Sequence, residues 1–309
     1  MILLTGGLGF LGCNLAYYLA NQGEEILLTK HRTSRIPTFL EPYLNKNIIT
    51  SSCDILDINA VLSVLEKYPI SSIIHTAATY GEKGKLHQCL KVNIGGTINI
   101  LEASRIKKID RITFTSSHSI YRRSREQIHG EDEDFPLKSI HYISLTKKAC
   151  EMICDHYAKE YGLSILIIRP SQIYGPLYVS GVNPLQTMID NSLANRPTCL
   201  EEVHPDDGNN LIYVKDCARA TGLVHLAQKP QFTIYNAGDK YLTYGEMAKM
   251  VKKIIPRAEI TLGANVKKEV QEPMYLNMER LEKEFGFKPE FNFENGIKDY
   301  IQWLSYGNY

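Results

Sequence analysis

The feature that most constrains this fold lies at its start. In MILLTGGLGFLG a short apolar segment, Met1–Thr5, runs into glycines at 6, 9 and 12 and then into a helical pattern over Phe10–Asn21. A strand that turns through glycines into a helix is the opening unit of a parallel α/β sheet. The alternation continues along the chain. Glu25–Thr29, Ile48–Ser51, Ser72–His75, Arg111–Thr115 and Ser164–Arg169 read as strands, with helices over Ile58–Lys67, Leu86–Arg105 and Ser144–Tyr161. This pace predicts a doubly wound parallel sheet covered by helices on both faces. After Pro176 the pattern loosens, with prolines at 184, 197, 205, 230, 256, 273 and 289. The expected division is a dinucleotide-binding domain over 1–175 and mainly a substrate lobe over 176–309, some of whose segments return to the first domain.

Composition narrows the function classes. The 309 residues carry a formal charge of +1 and 44% apolar residues. That balance offers no global field for nucleic acid or an anionic membrane. No apolar run approaches the roughly 20 residues of a membrane helix. MILLTGG enters a strand with no charged leader, and seven cysteines without a metal-like CxxC read as reduced thiols in a cytoplasmic chain. Cys150 and Cys154, one helical turn apart, are expected to be packing residues.

The glycine turn lets the backbone approach a pyrophosphate, whose charge is favoured by the positive end of the helix dipole. The end of the second strand then selects the cofactor. A carboxylate there would bind the ribose 2′-hydroxyl, whereas a cation accommodates a 2′-phosphate. This chain has TKHRTSR, with Lys30, His31, Arg32 and Arg35 and the hydroxyl of Ser34. Arginine suits phosphate because its planar fork donates two hydrogen bonds at once. The expected cofactor is NADP rather than NAD.

With these pieces in order, the chain resembles an extended short-chain dehydrogenase/reductase of the NAD-dependent epimerase/dehydratase family over nearly its whole length. Asp54 in SSCDILD resembles the aspartate that binds the adenine amino group, and IIHTAA the strand end that passes along the cofactor. Asn93 in KVNIGGTINILEA resembles the asparagine that stabilises the central helix. Thr115-Ser116-Ser117 resembles the active-site serine strand, and RPSQIYGP the segment flanking the nicotinamide. LIYVKDCARA, YNAGDKYLTYGEMA and LEKEFGFKPEF resemble the C-terminal lobe. The resemblance implies a Rossmann-type sheet. It also implies cofactor contacts from Gly6, Gly9, Phe10, Leu11, Gly12, Lys30, His31, Arg32, Arg35, Asp54, Ile55, Ala77, Ala78, Asn93, Lys147, Pro170 and Ile173.

The family's chemistry uses a serine, a tyrosine and a lysine. Tyrosine exchanges a proton with the substrate oxygen, lysine holds the nicotinamide ribose and lowers the tyrosine pKa, and serine hydrogen-bonds the oxygen. Ser117 and Lys147 match. In HYISLTKKACE, however, Lys147 and Glu151 fix a register in which Ile143 takes the tyrosine position. Either Tyr142 swings into the site from an irregular helix start, or His141, Tyr121, His118 or water replaces the phenol, or the chain binds NADP without turnover. The first is preferred, which makes Ser117, Tyr142 and Lys147 the expected catalytic residues.

The resemblance implies a nucleotide-sugar substrate, by epimerisation or 4-keto reduction. Another small carbonyl substrate and a non-catalytic NADP-binding regulator remain alternatives. An arginine expected before LIYVKD is replaced by Asn209-Asn210, and a further basic position falls near Lys267 and Lys268. Ser117-His118-Ser119 lacks the acidic pair associated with sugar 4,6-dehydratases. Apolar positions on more than one face of the two central helices, including Ile98, Ile100, Leu101, Met152 and Ile153, predict a homodimer.

Overall fold

Runs such as ILLT and SIIH, without polar alternation, suit strands buried on both faces, and the computed structural model uses them so. It describes residues 1–309 except 32–34, 80–84, 122–127, 133–141, 179–182, 264–274 and 306–309. The strands are β1 (Ile2–Thr5), β2 (Ile26–Lys30), β3 (Ile48–Ser52), β4 (Ser72–His75), β5 (Arg111–Thr115), β6 (Ile128–His129) and β7 (Ile165–Pro170). They continue with β8 (Gln172–Tyr174), β9 (Thr198–Leu200), β10 (Gly208–Tyr213), β11 (Ile234–Ala237), β12 (Tyr241–Thr243), β13 (Ile260–Leu262) and β14 (Tyr275–Leu276). The α-helices are α1 (Phe10–Asn21), α2 (Ile58–Lys67), α3 (Leu86–Cys89), α4 (Gly96–Lys107) and α5 (Tyr142–Tyr161). After them come α6 (Pro184–Leu193), α7 (Val214–Leu226), α8 (Tyr244–Ile254), α9 (Glu279–Phe285) and α10 (Phe293–Ser305).

Seven strands form one parallel sheet in the order β3-β2-β1-β4-β5-β7-β11. This is the expected doubly wound α/β architecture. Successive residues of each strand feed opposite layers. Leu4, Leu28 and Ile74 join Leu15 and Leu19 of α1 and Val224 of α7, while Leu3, Leu27 and Ile73 join Val61 of α2 and Ile100 of α4. On that second face Ile112 and Phe114 also pack on Leu101, Cys150 and Cys154. Both cysteines are buried packing thiols.

Strand order reverses between β1 and β4, so the connections at their carboxyl ends part and leave a crevice. A smaller lobe stands beside it. It holds the three-stranded sheet β12-β10-β8, the pair β13-β9 and the helices α6, α8 and α10 around Met188, Met247, Val251 and Ile297. The chain enters this lobe at β8. It then returns to the large sheet through α7, which packs on α1, and β11, which pairs with β7.

Candidate functional site

The glycine turn is shaped by contacts that exclude side chains. Gly6 adopts φ +68°, and a Cβ there would lie 2.8 Å from the backbone of Ala77. The ends of β1 and β4 therefore meet at the crevice. A Cβ on Gly12 would overlap the Gly6 carbonyl. The Gly9 N–H bonds that same carbonyl at 2.8 Å, and Gly9 caps α1 without a side chain. The first-turn amides, at Phe10, Leu11 and Gly12, thus open α1 at the crevice with the positive end of its dipole.

Other expected cofactor residues gather along the same sheet edge. Lys30 ends β2 and His31 follows, its Nδ1 3.9 Å from Oδ2 of Asp54 beyond β3. The other Asp54 oxygen accepts the Leu56 N–H at 2.9 Å, which closes the turn. Ile55 is buried beside it. Its carbonyl accepts from Asn99 of α4 at 2.9 Å. Ala77 and Ala78 follow β4, Pro170 ends β7 and Ile173 is central in β8. Arg35 is exposed, whereas Arg32, Ser34, His141, Lys267 and Lys268 fall outside the described residues.

At the other end of the crevice, Asn93 lies in a π-helical turn, Leu90–Gly95, between α3 and α4. Such turns re-aim a side chain out of the regular helical register. The Asn93 amide accepts from Thr79 N at 2.8 Å and donates to Thr79 O and Thr146 Oγ1, each at 3.1 Å. One side chain thereby ties the segment after β4 to α5. Lys147 is 6% exposed, its Nζ donating to the Thr115 carbonyl at 2.5 Å and standing 4.7 Å from the Phe114 ring centroid. Burial lowers the pKa of its ammonium. Ser117 follows two residues on, half-buried, its Oγ accepting the Ser119 N–H at 3.1 Å.

Neighbouring Ser116 opens a buried network. Its hydroxyl donates to Glu151, which pairs with Arg169 at 2.7 Å, both groups under 5% exposed. Arg169 donates to the Tyr121 hydroxyl at 2.6 Å, and Tyr121 donates to Asn236 at 2.9 Å. Burial pushes the Tyr121 phenol up to about 12. Of the substitutes for the missing tyrosine, Tyr121 is therefore held as a structural hydroxyl. His118 is buried, its Nδ1 donating to the Pro170 carbonyl at 3.1 Å.

Helix α5 corrects one geometric expectation. It already includes Tyr142, and Thr146 Oγ1 donates to the Ile143 carbonyl at 3.3 Å, a regular helical back-bond. Four residues turn through about 400°, so Ile143 and Lys147 share a face, while Tyr142 lies about 140° round from Lys147. Ile143 is buried and Tyr142 half-buried.

Sequence reasoning missed His75. It ends β4, 1% exposed, between Thr5 Oγ1 at 2.6 Å and Thr97 Oγ1 at 3.1 Å. Burial, then the charge of Lys147, brings its pKa down to about 3. A histidine within SIIH was the available signal, indistinguishable there from a core residue. In the lobe, Asn209 donates to the Tyr244 hydroxyl at 2.9 Å, and at the start of α7 Asp216 accepts the N–H groups of Glu290 and Phe291. Among the described residues no group of acidic, histidine and cysteine side chains could hold a metal, and no helix is long and apolar enough to cross a membrane.

Comparisons with known proteins agree with this architecture. A curated relative, a putative UDP-glucose 4-epimerase of Methanocaldococcus jannaschii, is 27% identical, covering 100% of this chain and 99% of the relative. The UDP-glucose 4-epimerase of Thermotoga maritima, solved with UDP-glucose, superposes with a TM-score of 0.86 at 20% identity, covering 99% of each chain. The UDP-glucuronic acid 4-epimerase of Bacillus cereus, solved with UDP-glucuronic acid and NAD, gives 0.85 at 22% identity, again over 99% of each. At such identities these likenesses establish the fold. The pattern of the NAD dependent epimerase/dehydratase family matches residues 2–238, and the chain belongs to that family.

Proposed function

We propose that this chain is a nicotinamide-dinucleotide-dependent enzyme that epimerises a nucleotide sugar through a keto intermediate or reduces a 4-keto sugar. The observation that carries the reading is the crevice. A helix start entered through Gly6, Gly9 and Gly12 opens one end, and Ser117 and the buried Lys147 stand at the β5 end. The residues fit the group: the α1 amides suit a pyrophosphate, and the close approach of Gly6 to Ala77 suits a ligand laid flat across the crevice. When bound, the dinucleotide would supply or accept a hydride. Ser117 would hydrogen-bond the substrate oxygen, and Lys147 would hold the ribose. Tyr142 would border the same end. Asn93 would set the position of α5 by its bond to Thr146. Relatives named for UDP-sugar epimerisation support the substrate class.

The cationic run Lys30, His31, Arg32 and Arg35 supports NADP, although the Bacillus cereus neighbour was solved with NAD. Fluorescence titration with both reduced dinucleotides should show tighter NADPH. Arg32→Asp should narrow or reverse the preference. Equal affinities, unmoved by that substitution, sink the NADP assignment. Ile143 on the Lys147 face supports a second reading, dinucleotide binding without turnover, which inactivity across a panel of nucleotide sugars would favour. The exposed apolar side chains of Ile98 on α4 and of Leu145 and Met152 on α5 support a homodimer through these helices.

A further inference from the structure

The reaction proposed above needs a group that gives and takes a proton beside Ser117, and Ile143 cannot do so. Tyr121 is engaged by Arg169 and Asn236. Tyr142 is on a different face of α5 from Lys147. What the site does hold is a buried amine with unusual surroundings. Ile143 lies one turn before Lys147 on the same buried face, an alkyl wall where a phenol would have offered a hydroxyl. The Lys147 ammonium rests on two neutral groups, the Thr115 carbonyl at 2.5 Å and the Phe114 ring at 4.7 Å.

Among the described residues, titratable groups reach Lys147 from two elements. On β4 it faces His75, and on its own helix Cys150, Glu151 and Cys154. None of them provides a dedicated counter-charge. Glu151 is paired with Arg169, and His75 is hydrogen-bonded between Thr5 and Thr97. Burial raises both thiol pKa values, keeping the sulfurs neutral. A buried ammonium with neutral contacts releases its proton more readily than one in water.

We propose that Lys147 is itself the proton donor and acceptor of this site, and that Ile143 tunes it for that role. The proposal rests on the functional reading above. In the reductive direction the bound dinucleotide would supply the hydride to the carbonyl carbon, and the π pair of C=O would move onto oxygen. That oxygen takes a proton from Nζ of Lys147, so the carbonyl becomes an alcohol and the dinucleotide is oxidised. The neutral amine recovers its proton from water. In the oxidative direction the amine takes the hydroxyl proton as the hydride leaves carbon.

The first test needs no ligand. With 15N-labelled lysine side chains, NMR titration of the whole protein should show one signal, absent from Lys147→Arg, that titrates below the other lysines. Ile143→Tyr should move that signal upward. With dinucleotide and a UDP-4-keto sugar, reduction should fall off at the pH where that signal titrates. Lys147→Arg should lose about a hundredfold or more in kcat, because a guanidinium does not release a proton in this range. Tyr142→Phe should leave the pH of the break in place, whatever it does to the rate. Lys147 titrating with the other lysines overturns the proposal, as does a break that persists in Lys147→Arg and vanishes in Tyr142→Phe. Failure of the wild type to bind either dinucleotide overturns the functional reading and this proposal together, whereas a normal Lys147 titration with binding intact overturns this proposal alone.

Discussion

Replacing Glu151 by glutamine should cost this protein more stability than any surface substitution. Glu151 and Arg169 are 4% and 2% exposed and meet at 2.7 Å. The glutamine keeps the shape and one acceptor but removes the charge. The guanidinium then loses the carboxylate that faces it and keeps the Tyr121 hydroxyl and the Glu131 carbonyl among its acceptors, besides the new amide. Breaking a buried pair from one side costs about 3–5 kcal/mol, because the surviving charge has lost both water and partner. Unfolding entropy near 2.1 cal/mol/K per residue, over 309 residues, is about 0.65 kcal/mol/K. The loss therefore corresponds to a fall in Tm of about 5–8 °C, readable by calorimetry and by the urea midpoint. Removing both charges, with Glu151→Leu and Arg169→Met, should cost less than the single change, because no unpaired charge is left and the hydrogen bonds lost, those of Ser116, Tyr121 and Glu131 among them, are ordinary ones. A Glu151→Gln protein within about 1 kcal/mol of wild type would refute the reasoning. So would a double variant that loses the sum of the two single losses.

Acid should destabilise the fold in a defined window. Burial holds His75 and His225 neutral down to about 3, against 6.5 for the exposed side chain. The unfolded chain therefore binds protons that the native state refuses, and stability falls as pH drops below about 6.5, by about 1.4 kcal/mol per pH unit for each histidine. Urea midpoints at pH 7.5, 6 and 5 should track this decline, and His225→Gln should reduce its slope; a flat profile in wild type contradicts the assignment. For assembly, Ile98, Leu145 and Met152 are 38%, 39% and 59% exposed, so sedimentation should find a dimer at micromolar concentration that Met152→Asp dissociates. A wild-type monomer removes the expectation.

What could be read from the chain in advance follows from where the physics is local. Strands β1 to β5 and β7 announced themselves because short segments rich in Ile and Leu, bounded by turns, have few alternatives in a chain that alternates with amphipathic helices. Gly12 was equally legible, since it answers to the nearby backbone of Gly6 and Gly7, whereas the approach of Ala77 to Gly6 comes from β4. Strands of three residues such as β8, β9 and β12 carry too few positions for a period. The return of α7 and β11 to the large sheet depends on packing against α1 and β7, elements near the other end of the chain or 60-odd residues away. Glu151 and Arg169 were visible as residues of familiar motifs, but their bond needs the relative height of α5 and β7, which no spacing specifies. His75 was hidden for the opposite reason, because an apolar strand gives no sign that its last residue is hydrogen-bonded on both ring nitrogens.

The question of HYISLTKK lies between these cases. Counting back from Lys147 is enough to place Ile143 on the lysine's face, but only if the helix already runs at that point. Tyr142, half-buried and already helical, could have swung into the site had α5 started two residues later, at Ser144. No capping signal in Ser139-Ile140-His141 decides between those starts, since each residue is compatible with a loop or a first turn. Once the helix is known to include Tyr142, the register becomes a chemical statement. The face that meets β5 carries an alkyl group and then an amine, and whatever proton chemistry the site performs has to be compatible with that pair.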